Sequence, residues 1–118
     1  MAVWRYLGVF SMDKAGPRYR AWQAMTAEET AERQRVGLAA IAEWDAAHRD
    51  VIEYQGGPLG PTKRIDDQGR VTEVVNLLTV FMVVRADSHE AAARLFVNHP
   101  HCTIFPCDAV EVKPVLGA

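Results

Sequence analysis

Two histidines, His99 and His101, flank Pro100 and are the residues of this chain best suited to chemistry. The proline fixes one backbone dihedral between them, so their relative placement is partly set. Histidine titrates near neutral pH, which makes one of the pair a candidate general base over a small-molecule cavity. Asn76 is the candidate group for polarising a substrate oxygen. A plainer reading places His99 at a helix end, where it meets that helix's last carbonyls, and makes His101 a packing residue. That reading gains weight because no carboxylate stands in obvious partnership. Asp87 lies one helix length from His99, roughly 18 Å at 1.5 Å per residue.

Three further groups qualify. Residues 11–25 carry Lys14, Arg18, Tyr19, Arg20 and Trp22 around a Gly16-Pro17 turn signal. This connection is either a surface loop stapled by its aromatics or a lid in which Arg18 and Trp22 bind substrate. Thr62, Lys63 and Arg64 could hold an anion, although exposed basic residues are more often solvated strand edges. His99, His101, Cys102 and Cys107 fall within nine residues, but their spacing matches no closed zinc motif. No metal is expected there. No cofactor is expected either, because the chain has no Gly-rich phosphate loop and no nucleophile elbow.

Length and composition bound what these groups can belong to. The chain has 118 residues, of which 49% are hydrophobic and 24% charged, which suits one globular domain with a single core. A net charge of -2 gives no footprint for nucleic acid or an anionic membrane. No apolar run reaches the roughly 18 residues of a membrane span. The opening Met-Ala-Val-Trp-Arg lacks the charged and apolar regions of a secretory signal, so a cytoplasmic location with reduced cysteines is expected.

The elements that must position the candidates follow from hydrophobic period. Leu77 to Ala86 is a β-rich run with Leu77, Phe81 and Val83 on one face and Leu78, Val80, Met82 and Val84 on the other. Val3 to Phe10 is likewise apolar on both faces, with Trp4, Tyr6 and Phe10 opposite Val3, Leu7 and Val9. Two such strands belong side by side at a sheet centre. Thr26-Ala-Glu-Glu29 is a capping box that starts a helix running to about His48, with Ala40, Ile41, Trp44, Ala47 and His48 as its buried stripe. Val51 to Tyr54 is a short strand stopped by the Gly56–Pro61 stretch. Thr62–Ile65 and Arg70–Val75 flank an Asp66–Gly69 hairpin turn. Asp87 is the expected N-cap of a second helix with Ala92, Leu95, Phe96 and His99 inward, ended by Pro100. An irregular crossover leads to an edge strand at Val110–Val115.

The order β-α-β-β-α-β predicts an α+β, ferredoxin-like antiparallel sheet with both helices on one face. The bare face calls for a second copy of the chain, two sheets closing as a barrel in a homodimer. This topology gathers residues 11–25, Gly56–Pro61, Asn76 and His99–Cys102 at one end of the sheet, and His48, Asp87 and His89 at the other.

Gly57-Pro-Leu-Gly-Pro61, the run Leu78–Asp87 into Asp87-Ser-His-Glu-Ala-Ala-Ala93, His99-Pro-His101 and Val110-Glu-Val-Lys-Pro114 together resemble the YCII-related proteins of the dimeric α-β barrel superfamily. The resemblance covers roughly residues 56 to 115. It implies a homodimer with a ligand cavity, and some members look like enzymes acting on small, often aromatic, molecules; for this chain the alternative is a non-catalytic dimeric module that binds a small molecule or regulates. Part of the family is associated with a catalytic pair of a first-helix histidine and an aspartate. Here that helix offers only His48, at its end.

Overall fold

The computed structural model describes residues 4–117. Val3, expected on the first strand, lies outside them. Four strands form the main sheet: β1 (Trp4–Ser11), β2 (Ile52–Pro58), β5 (Leu78–Ala86) and β6 (Ala109–Pro114), in the order β2-β5-β1-β6 and antiparallel at every pairing. The expected central pair is adjacent, with Tyr6 opposite Val84 and Phe10 opposite Val80. The closing strand is at the edge, as expected from Pro114.

Alternation decides which face is covered. Tyr6, Phe10, Met82 and Val84 are buried on one side under α2 (Ala27–Ala47) and α3 (His89–Leu95), with Ala92, Phe96 and Trp44 packed onto them. Phe96 fits because Gly8 has no side chain: a Cβ there would stand 2.6 Å from the Phe96 ring. The other side carries Leu7, Val9, Phe81 and Val83, with Tyr54 leaning on Phe81 at 5.9 Å. Among the described residues, the core helices lie on the opposite side. The fold is ferredoxin-like, with both core helices on one face of the sheet.

Several expectations need correction. The connection 11–25 contains a helix, α1 (Pro17–Gln23). Gly16 caps it and Pro17 occupies its first position, where a proline's missing N–H costs nothing. The Gly56-Gly57 pair does not stop β2. Gly56 adopts φ 64° in an irregular stretch of the strand, and a Cβ there would sit 2.1 Å from the Phe81 carbonyl oxygen. The N-cap of α3 is Ser88, whose hydroxyl accepts from the Ala91 N–H, and not Asp87. The Thr26 capping box is present in both directions, but Ala47 is exposed, so the inner side of α2 consists of buried Gly37 with half-buried Ala40, Ile41 and Trp44, followed by half-buried His48 at the C-cap. No helix among the described residues is long and apolar enough to cross a membrane.

Candidate active site

The chain leaves α3 through Asn98, which takes the left-handed conformation (φ 62°) that asparagine tolerates and reverses direction. Pro100 therefore begins a helix instead of only ending one: α4 (Pro100–Thr103) follows at once, with His99 as its N-cap. This reversal drives the His99 side chain into the core, where it is 1% exposed. Its ring centre lies 4.8 Å from Phe10, 4.5 Å from Trp44 and 5.5 Å from His101, and the two imidazoles are stacked within 7° of parallel. Of the two roles open to His99 from sequence, the contact with its own helix's last carbonyls is not made; its side chain caps the next helix.

The protonation state follows from this geometry. His99 Nδ1 accepts the His101 N–H at 3.1 Å, so its proton is on Nε2. Burial, then the charges of His101 and His48, lower its pKa to about 4. It is neutral at pH 7. Burial also lowers the His101 pKa, while Asp45 on α2 opposes that shift by favouring the imidazolium. Asp45 is thus a carboxylate partner for His101 that its sequence position does not make conspicuous. A signal was available: it follows Trp44, one turn beyond Ile41 and one before His48, a charge on the flank of an apolar stripe.

Two buried side-chain atoms among the described residues find no hydrogen-bond partner, and both belong to this cluster: His99 Nε2 and Asp45 Oδ1. One is a donor and the other an acceptor. His48, assigned by topology to the far end, stacks on Trp44 at 4.0 Å and donates Nδ1–H to the Trp44 carbonyl at 2.7 Å.

Arg18 and Trp22 come to the same end through α1. The Arg18 guanidinium donates to the carbonyls of Cys102 (2.6 Å) and Phe105 (3.2 Å), tying α1 to the crossover that carries His101. Trp22 leans on Phe105 at 5.6 Å, and Phe105 on His101 at 5.6 Å. Arg18, Trp22, Met25, Arg33 and Phe105 line a groove of about 220 Å³. Thr62, Lys63 and Asn76 are engaged within their own hairpin. Asn76 donates to the Thr62 hydroxyl (2.9 Å) and accepts the Leu78 N–H (3.1 Å), and Lys63 pairs with Glu73 (3.0 Å). These three hold a hairpin together.

Cys102 and Cys107 are joined in a disulfide, which corrects the expectation of free thiols. The turn at Phe105–Cys107 brings their Cα atoms to 4.5 Å, within bridging range. Composition speaks of compartment and carries no such local geometry. The bridge also removes both sulfurs from any metal set, and no group of three or more potential ligands exists among the described residues.

No family model matches the chain, and no curated protein matches it in sequence. Among solved structures it is similar to 5-chloro-2-hydroxyhydroquinone dehydrochlorinase (TftG) from Burkholderia phenoliruptrix AC1100 in complex with 2,5-dihydroxybenzoquinone. The TM-score is 0.53 and the identity 17%, covering 96% of this chain and 95% of that one. At that identity the likeness concerns architecture alone, and it bears out the α+β, ferredoxin-like fold with an antiparallel sheet.

Proposed function

We infer that this chain is a YCII-related homodimer that binds a small aromatic or carbonyl-bearing molecule beside His99 and His101 and transforms it by acid–base chemistry. His101 is the proton-transfer group. Neutral at pH 7, it can accept a proton from the substrate, and Asp45 then stabilises the imidazolium it becomes. His99 serves as a fixed donor. Its Nε2–H suits a substrate oxygen on which negative charge collects as the proton leaves. The observation that carries this reading is the pair of orphaned buried atoms, His99 Nε2 and Asp45 Oδ1, beside a half-buried imidazole. Buried polar groups without partners are costly, and a ligand that supplies an acceptor and a donor would satisfy both. Arg18 and Trp22 would guide a planar, anionic or carbonyl-bearing ring through the adjoining groove.

A thermal-shift screen across aromatic acids, lactones and quinones, followed by turnover assays of the hits, tests this. The complex of the structurally similar dehydrochlorinase supports including hydroxylated quinones. The expected result is a stabilising ligand that is converted, with kcat falling by about 10²–10⁴ in His101→Ala while binding persists. Binding without conversion overturns the catalytic reading and leaves a binding or regulatory module. Unchanged turnover removes His101 from the chemistry.

A further inference from the structure

The hairpin of β3 (Thr62–Ile65) and β4 (Val71–Val74) forms a two-stranded sheet of its own, apart from the main sheet. Its register pairs Lys63 with Glu73 and Ile65 with Val71. One face therefore carries Ile65 and Val71 beside the Lys63–Glu73 pair, and alternation adds Val75 just past β4. These three β-branched side chains are 65%, 60% and 97% exposed. Leu59, Leu77 and Leu78, near the hairpin's base, are also exposed, and Leu77 falls by alternation on the face of Phe81 and Val83. An isolated two-stranded hairpin is marginal in water, and an apolar face on it makes matters worse.

Area identifies the occupant. A folded monomer of this mass exposes about 6400 Å², yet this chain exposes 8184 Å², an excess of roughly 1800 Å². A standard interface covers about 800 Å² per partner and a permanent homodimer covers more. The dimensions agree: the chain is only 19 Å thick and its radius of gyration is 16.2 Å, against about 13.5 Å for a compact domain of this length. A two-fold interface between identical surfaces would use the same face of each copy, and the exposed apolar residues of the hairpin are available to both.

We propose that the β3–β4 hairpin is a dimer clasp: each protomer lays its Ile65, Val71 and Val75 face onto the second copy, extending the sheet-to-sheet interface. The proposal rests on the homodimer reading above but is separable from it. The Lys63–Glu73 pair, which lies on the same face between Ile65–Val71 and Val75, keeps the arm's register while these apolar residues make the contact.

Sedimentation equilibrium of wild type, of an arm variant (Ile65→Ser with Val71→Ser and Val75→Ser) and of a sheet variant (Leu7→Glu with Val83→Glu) tests it. Hydrogen exchange at the hairpin amides is followed on dilution. The wild type should be a dimer at micromolar concentration. The arm variant should keep its far-UV circular dichroism and cooperative unfolding yet dissociate at least roughly 100-fold more readily, since six apolar side chains per dimer lose their cover. Wild-type hairpin amides should lose protection as the protein is diluted. An arm variant with the wild-type dissociation constant overturns the clasp, while dissociation of the sheet variant keeps the facing-sheet dimer. Loss of the dimer in the arm variant but not the sheet variant supports the clasp and overturns the facing-sheet arrangement. A monomeric wild type overturns both, and the patch then belongs to a different protein or a membrane.

Discussion

At His99, burial among Phe10, Trp44 and Phe96 outweighs the ordinary basicity of imidazole. The folded state holds this residue neutral with a pKa of about 4, whereas the unfolded chain protonates it near the usual 6.5. The unfolded state therefore binds more protons in between. Stability contributed by the neutral form is complete above about pH 6.5 and is lost as pH falls towards 4. The loss is on the order of 3 kcal/mol, and burial of His101 acts in the same direction. Urea unfolding at pH 7, 5.5 and 4.5 should show this decline, and His99→Phe should flatten it; an unchanged slope would show that His99 is not held neutral. Asp45 makes a second prediction. It raises the His101 pKa, so Asp45→Asn should move the acid limb of kcat/KM for any converted substrate to lower pH, with a roughly tenfold or greater fall in kcat. An unmoved limb would separate Asp45 from the proton transfer. The sequence made both histidines conspicuous because they flank a proline. It did not reveal Asp45, because a helix stripe is recognised by its apolar members and a flanking carboxylate resembles the solvated face.

Elements were legible where a local rule and the global fold agree. The Thr26 box, the two-faced central strands and the edge position of β6 each follow from patterns a few residues long. Gly16-Pro17 was ambiguous, because the same dipeptide can turn a loop or open a helix, and the Arg18 hydrogen bonds to Cys102 and Phe105 fix the outcome from 84 and 87 residues away. The disulfide was illegible for the same reason, being set by how α4 and Phe105 fold back. Gly37 shows how tightly that crossover is seated. It is the one buried residue of α2, and a Cβ there would stand 2.4 Å from the Phe105 ring and 3.0 Å from Ile104. Gly37→Ala should gain about 1 kcal/mol in helix propensity and lose about 1–3 kcal/mol to overpacking, a net destabilisation. It should also loosen the Trp22–Phe105 wall of the groove. Gly60→Ala, with nothing within 4 Å, is the control and should stay within about 0.5 kcal/mol of wild type. Chemical denaturation of the two variants decides it. A stabilised Gly37→Ala protein would mean that Phe105 does not pack against α2.

For the whole molecule, the decisive quantity is how much apolar surface one chain can hide by itself. α2 and α3 cover one face of the sheet, and no described element forms a third layer over the other. The sequence made this much visible through strands apolar on both sides. It did not disclose that the hairpin also stands clear of the body, because Ile65, Val71 and Val75 alternate with polar residues just as in a strand with one side packed. If folding and association are a single event, the unfolding midpoint must depend on protein concentration, because dilution favours the two separate chains over the one assembled particle. Each tenfold rise in concentration is worth 1.4 kcal/mol. Spread over a unit twice the length of this chain, that raises Tm by roughly 2–4 °C. Calorimetry at three concentrations a decade apart should resolve the trend. A midpoint that stays fixed would mean that each chain melts alone, with its second sheet face already in water.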